Sequence, residues 1–171
     1  EVAQLLALLG LDPALAPSVH RASGGWAAAV SVLAEGAGRD DRDLPAALEA
    51  LLDRAGLTPA GDTGGEEVAD VLAVLTVAPG VTATELSTAG VDAGRLGALA
   101  SGTALLRPIG DGWALLDLLR GPVRRRLGAE RLQRAAARIA PALAERDPVA
   151  AAGVLLDAGD DGAAADLLAR H

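Results

Sequence analysis

The sequence predicts a mainly α-helical protein that carries one short β-hairpin. Three observations predict it. Apolar Leu, Val and Ala recur three and four residues apart along most of the chain, the period of a helix with one buried face. Gly, Pro and Asp cut these stripes after about one helix length, supplying caps and stops. From Thr103 to Leu115 the pattern switches to two extended runs on either side of Gly110-Asp111-Gly112, the mark of a tight hairpin.

The first stripe is Val2, Leu5, Leu6 and Leu9, stopped by Gly10. Pro13 and Pro17 break the next stretch, and Pro17 suits the first turn of a short helix carrying Val19 and His20. After Ser23-Gly24-Gly25, Trp26, Val30 and Leu33 share one face of a third helix. Gly36 to Asp43 reads as a polar loop, and Asp43 caps a fourth helix with Leu44, Leu48, Leu51, Leu52 and Ala55 on one face. These four helices form an expected domain at 1–57, followed by a linker from Thr58 to Gly65.

From Glu66, Val68, Val71, Leu72 and Leu75 make a new helical stripe, and Ala78-Pro79-Gly80 turns the chain. Thr82-Ala83-Thr84-Glu85 has capping-box spacing and opens a second helix. Asp92 caps a third, with Leu96, Leu99 and Ala100 inward. The hairpin follows, and three helices before a hairpin is the order of a winged helix, expected at 64–127.

Helix returns at Leu116, with bends expected at Gly121-Pro122 and at Pro141. Leu132, Ala136, Ile139 and Leu143 share one side. Two short helices, Pro148 to Asp157 and about Asp161 to Ala169, close the sequence around Ala158-Gly159-Asp160, with Asp161 as the expected cap. An αα-hairpin cannot bury both faces alone and normally stacks on further repeats, so 128–171 reads as the start of a TPR-like helical-repeat arm with an apolar face left uncovered.

Composition narrows the function. Hydrophobic residues make up 51% of the chain, yet Phe and Tyr are absent and the aromatics are Trp26 and Trp113. The core must come from many small aliphatic contacts. The absence of Cys excludes disulfides, thiolate nucleophiles and Cys-ligated zinc. Every basic residue is Arg, which with the Ala and Gly richness suggests a high-GC bacterial gene. The net charge of −8 disfavours broad binding to phosphate backbones. No secretory signal opens the sequence and no apolar run reaches spanning length, so the expected location is the cytoplasm, with no membrane partner.

Three segments together carry a resemblance. They are His20-Arg21-Ala22-Ser23-Gly24-Gly25-Trp26-Ala27-Ala28-Ala29, then Gly112-Trp113-Ala114-Leu115-Leu116-Asp117-Leu118-Leu119-Arg120, then Asp157-Ala158-Gly159-Asp160-Asp161-Gly162-Ala163-Ala164-Ala165-Asp166-Leu167-Leu168. In order and spacing the set resembles the MalT-like and LuxR-type large bacterial regulators, members of the STAND signalling ATPases related to NB-ARC proteins. The first looks like the family's TGGWPAAL segment, the second like the winged-helix segment ending in its histidine motif, the third like the hairpin that opens its superhelical arm.

The resemblance implies that 1–57 is a helical lid, that the winged helix and lid close over a nucleotide core, and that the arm relays a signal. It makes Gly24, Gly25, Trp26, Ala27, Leu116 and Asp117 nucleotide-proximal. Ala27 stands where the family has proline, and Leu116 where it has the histidine that reaches the phosphate; a leucine cannot donate to one. The sequence has no GxxxxGK[ST] and no Lys, so ATP or ADP would bind a core elsewhere in the full polypeptide, and the chain itself needs no cofactor. The partners implied are that ATPase core and the repeat arm of the same polypeptide, and DNA through another domain; the uncovered apolar face of the last two helices adds a second copy of the chain as an expected partner.

Other residues point to competing chemistry. Arg95 is the one basic side chain on the third helix of the winged helix, and Arg120, Arg124, Arg125 and Arg126 form the densest basic cluster. These five are the candidates for nucleic-acid contact, although a solvated face or a helix C-terminus also accounts for the cluster. Packing roles account for Trp26 and a plain turn for Gly24-Gly25. His20 and His171 have no convergent ligands, so no metal site is expected, and the Asp clusters fit no calcium loop. No catalytic constellation is present, so the chain is not expected to be an enzyme. The leading expectation is a regulatory, signal-transducing module; the alternatives are a stand-alone winged-helix DNA-binding regulator and a non-catalytic interaction scaffold.

Overall fold

The computed structural model describes residues 63–171 except 103 and 104, together with residues 3, 4, 7, 13–17, 20, 49, 52, 53 and 57. The four-helix organisation expected at 1–57, with Gly24, Gly25, Trp26 and Ala27, lies outside the described residues, apart from those positions and a 3-10 turn at Pro13–Leu15. The rest is mostly helical with one small antiparallel sheet. In order come α1 (Thr63–Val77), α2 (Ala83–Thr88), α3 (Ala93–Gly102), β1 (Leu106–Ile109), β2 (Gly112–Leu115), α4 (Asp117–Ala144), α5 (Pro148–Asp157) and α6 (Asp161–Arg170).

Helix α1 starts at Thr63, inside the expected linker. The first amides of a helix need no intrahelical acceptor, and Glu66 in the first turn suits the helix dipole, so a Gly pair is tolerated there. The expected stripe proves too narrow. Val71, Leu72, Ala73, Val74 and Leu75 are all at most 1% exposed, because α4, α3 and β2 pack around the helix from different sides. The hydroxyl that follows this run is satisfied: Thr76 Oγ1 donates to the Leu72 carbonyl at 2.6 Å.

Both predicted caps after α1 form. Thr82 Oγ1 accepts from the Glu85 amide (3.2 Å), and Glu85 Oε2 accepts from the Thr82 amide (2.7 Å), a complete capping box. Asp92 Oδ1 accepts from the Gly94 amide at 2.8 Å at the start of α3. The hairpin pairs Leu106 with Leu115 and Ile109 with Gly112. Gly110 takes φ 56 in its turn, a left-handed conformation that favours glycine. An isolated antiparallel bridge joins Val81, between α1 and α2, to Trp113 on β2. The Trp113 carbonyl accepts from both Gly80 and Val81 amides, and the Trp113 amide donates back to Val81. This close approach leaves Gly112 no room: a Cβ there would lie 2.8 Å from the Val81 carbonyl oxygen and closer still to Gly80.

Helix α4 differs from expectation. The non-helical backbone within it is at Gly128, with φ 74 and ψ 161, rather than at Gly121-Pro122 or Pro141. Proline fixes a φ that a helix accepts and removes one donor; the Gly128 conformation is one that essentially only glycine adopts. On both sides of the break α4 contributes to one contiguous core, through Leu119 and Val123 before it and Leu132, Ala136, Ile139 and Leu143 after it. At the last helix Asp160, not Asp161, is the cap: it has non-helical φ/ψ and accepts from the Ala163 amide at 3.0 Å, while Asp161 is already helical. Asp147 caps α5 the same way, with Pro148 at its first turn. Val149 (74% exposed), Leu156 and Leu168 remain open to solvent on these two helices. Among the described residues, no helix is long and apolar enough to cross a membrane.

Candidate functional site

The predicted basic residues do not form one surface. On α3, Arg95 turns back to α1, where its Nε donates to Glu67 Oε2 at 2.8 Å. Around it α3 exposes Gly94, Gly97 and Ala98. Of the four arginines of 120–126, Arg120 and Arg126 turn to acids of their own, while Arg124 and Arg125 stay side by side on the surface. Arg120 Nε lies 3.3 Å from Asp117 Oδ1 but is not aligned on it, and this N–H is buried without a hydrogen bond. Arg125 reaches Glu49 only at 4.0 Å and is 72% exposed. Arg124 is exposed and has no carboxylate partner among the described residues.

Arg126 is the exception in depth. Its side chain is 16% exposed. Nε donates to Glu49 Oε2 (2.7 Å), Nη1 to Asp53 Oδ1 (2.8 Å) and to the Leu57 carbonyl (2.6 Å), and Nη2 to the Glu49 carbonyl (3.2 Å). Burial works against its charge. Hydrogen bonds to Asp53 and Glu49, and the charges of both, outweigh that and hold the guanidinium above the ordinary arginine value. It is a structural clamp, not a free phosphate ligand.

Leu116 and Asp117, adjacent in sequence, part company. Leu116 is 2% exposed in the core at the N-cap of α4. Asp117 opens that helix with its side chain 68% exposed, between Arg120 and, at 3.7 Å, Arg107 of β1. An acid in the first turn of a helix is well placed against the dipole. His20 and His171 are both exposed, and no group of metal-ligating side chains occurs among the described residues.

Sequence reasoning missed a second set of arginines on α4 and just beyond it. Arg131 pairs with Glu66 and approaches Asp70 at 3.8 Å. Arg138 Nη1 donates to Asp70 Oδ2 (2.9 Å), while its Nε and Nη2 donate to the carbonyls of Ala89 (3.0 Å) and Gly90 (2.6 Å) after α2. Arg146 Nη1 lies 3.2 Å from Glu85 Oε1, giving the buried capping-box carboxylate a cationic partner. The signal was present: Arg131 and Arg138 are seven apart, on one helix stripe, and Glu66 and Asp70 are four apart on another.

Among the described residues the result is a surface with little uncompensated positive charge. Every described arginine except Arg124 and Arg170 has a carboxylate within 4.0 Å. A cleft of about 370 Å³ opens at the Gly128 break, lined by Arg124, Arg125, Ala129, Leu132, Asp157 and Ala158. No family model, curated protein or solved structure matches the chain.

Proposed function

We propose that the chain is a regulatory, signal-transducing module of a STAND-type ATPase transcriptional regulator, of the MalT-like and LuxR-type kind, acting in the cytoplasm. On this reading 64–127 is a winged helix, with Val81 as its first short strand and β1–β2 as its wing, and 128–171 begins the helical-repeat arm. The nucleotide-binding core belongs elsewhere in the full polypeptide, and the module moves against it between two states. Support comes from the three resembling segments and from the order of helices, bridge and hairpin.

The observation that carries a docking role over DNA reading is the state of α3. In a winged helix this is the position of the recognition helix. It turns out small residues around Arg95, whose guanidinium is already engaged by Glu67. Base readout needs free Arg, Lys, Asn or Gln along that face. A low-salt gel shift with micromolar chain tests this: no shift is expected, and a salt-sensitive shift abolished by Arg95→Gln would transfer the reading to a DNA-binding regulator.

The nucleotide side has its own test. With a buried leucine at 116, the chain offers no phosphate donor at the family's histidine position, so the ADP-held closed state is weakened. In the full-length polypeptide, exchanging ADP for ATP should change amide hydrogen exchange over residues 112–120, while ADP affinity stays low. Tight ADP binding that is lost in Leu116→Arg would contradict this, and unchanged exchange at 112–120 would remove the module from the nucleotide cycle.

A further inference from the structure

We propose that the cleft at the Gly128 break is a binding site for a small ligand that carries an oxyanion, held by Arg124 and Arg125. The site does not depend on the ATPase-regulator reading. Its volume, about 370 Å³, lies in the range of small-molecule pockets. Its charge is the local exception in an acidic chain: Arg124 has no carboxylate partner among the described residues, and Arg125 has only Glu49 at 4.0 Å. Elsewhere on the described chain, guanidinium groups are engaged at shorter range or, as with Arg170, stand away from this cleft.

The surroundings suit an anion with a small organic body. Ala129, Leu132 and Ala158 supply an apolar lining beside two guanidinium groups whose hydrogen bonds to an oxyanion are charge-assisted. Asp157, on the α5 side, favours a ligand that places a hydroxyl or ammonium donor next to its anionic group. The break creates the geometry: Arg124 and Arg125 precede Gly128 and Ala129 and Leu132 follow it, so one ligand bridges both parts of α4 and the end of α5.

The experiment is a titration of the full 171-residue chain followed by ¹H–¹⁵N NMR at fixed ionic strength, with inorganic phosphate in one arm and malate, a hydroxy-dicarboxylate, in the other. Saturable shifts are expected at the Arg124 and Arg125 Nε–H groups and at the Gly128 amide, and the tighter arm identifies phosphate or carboxylate as the anion. Arg134, exposed and paired with Glu130, is the control and should not move. The double variant Arg124→Gln/Arg125→Gln should weaken binding by about tenfold or more, and Asp157→Asn should tighten inorganic phosphate. All three side chains are exposed, so folding should persist, which a thermal melt checks. Non-saturable shifts in both arms, equal shifts at Arg134, or unchanged affinity in the double variant would each overturn the site.

Discussion

Helices α1 and α6 are both built on small aliphatic side chains, yet the second half of one is enclosed and the other is a lining. In α1, the run from Val71 to Leu75 is sealed on every side. In α6, only Ala164 and Leu167 are buried, and Leu168 stands out at 47% exposure. Composition does not separate them; the placing of charge does. After Asp70 no charged residue occurs until Glu85, whereas α6 carries Asp161, Asp166 and Arg170 within ten residues. The charges of α1 sit in its first half, at Glu66, Glu67 and Asp70, and the uncharged half that follows lies in the middle of its neighbours.

The sharpest test is Leu75→Ala. It removes a fully buried side chain from the enclosed helix and should cost near the upper end of ~2–5 kcal/mol in chemical denaturation. Gly112→Ala comes next, at about 3 kcal/mol, because the new Cβ meets backbone of Gly80 and Val81 that cannot rotate away; loss of the Val81–Trp113 bridge should show in the protection of the Trp113 amide. Leu167→Ala, at the edge of the stack, should cost about 2 kcal/mol. A cost equal to that of Leu75→Ala would show that α6 is as enclosed as α1 and break the comparison. Val149→Ser, at a side chain 74% exposed, should move the melting midpoint little, within about 0.5 kcal/mol.

Local chemistry was legible in the sequence and distant pairing was not. The capping box at Thr82 and Glu85, the turn at Gly110 and the helix limits of α5 could be read because each is decided within four residues. The break at Gly128 escaped notice because Gly121-Pro122 offers the stronger local signal, while the actual conformation depends on how both parts of α4 meet a shared core. Asp160 and Asp161 look equivalent as caps until the backbone at Gly159, with φ 82, fixes which one is non-helical. For the site, the cluster at 120–126 looked like one basic patch; helical geometry sends Arg126 to Glu49 and Asp53 and Arg120 to Asp117. Leu116 and Asp117 were singled out together, but only the second faces solvent.

The clamp at Arg126 bears on the order in which the chain assembles. Its partners Glu49, Asp53 and Leu57 are 69 to 77 positions away, whereas α5 and α6 need only a tight turn to meet. Closing so wide a loop costs entropy before any bond is gained, so this contact forms after the nearby helices have paired. In a refolding time course, the contacts of Arg126 should therefore appear after the α5–α6 pair has closed.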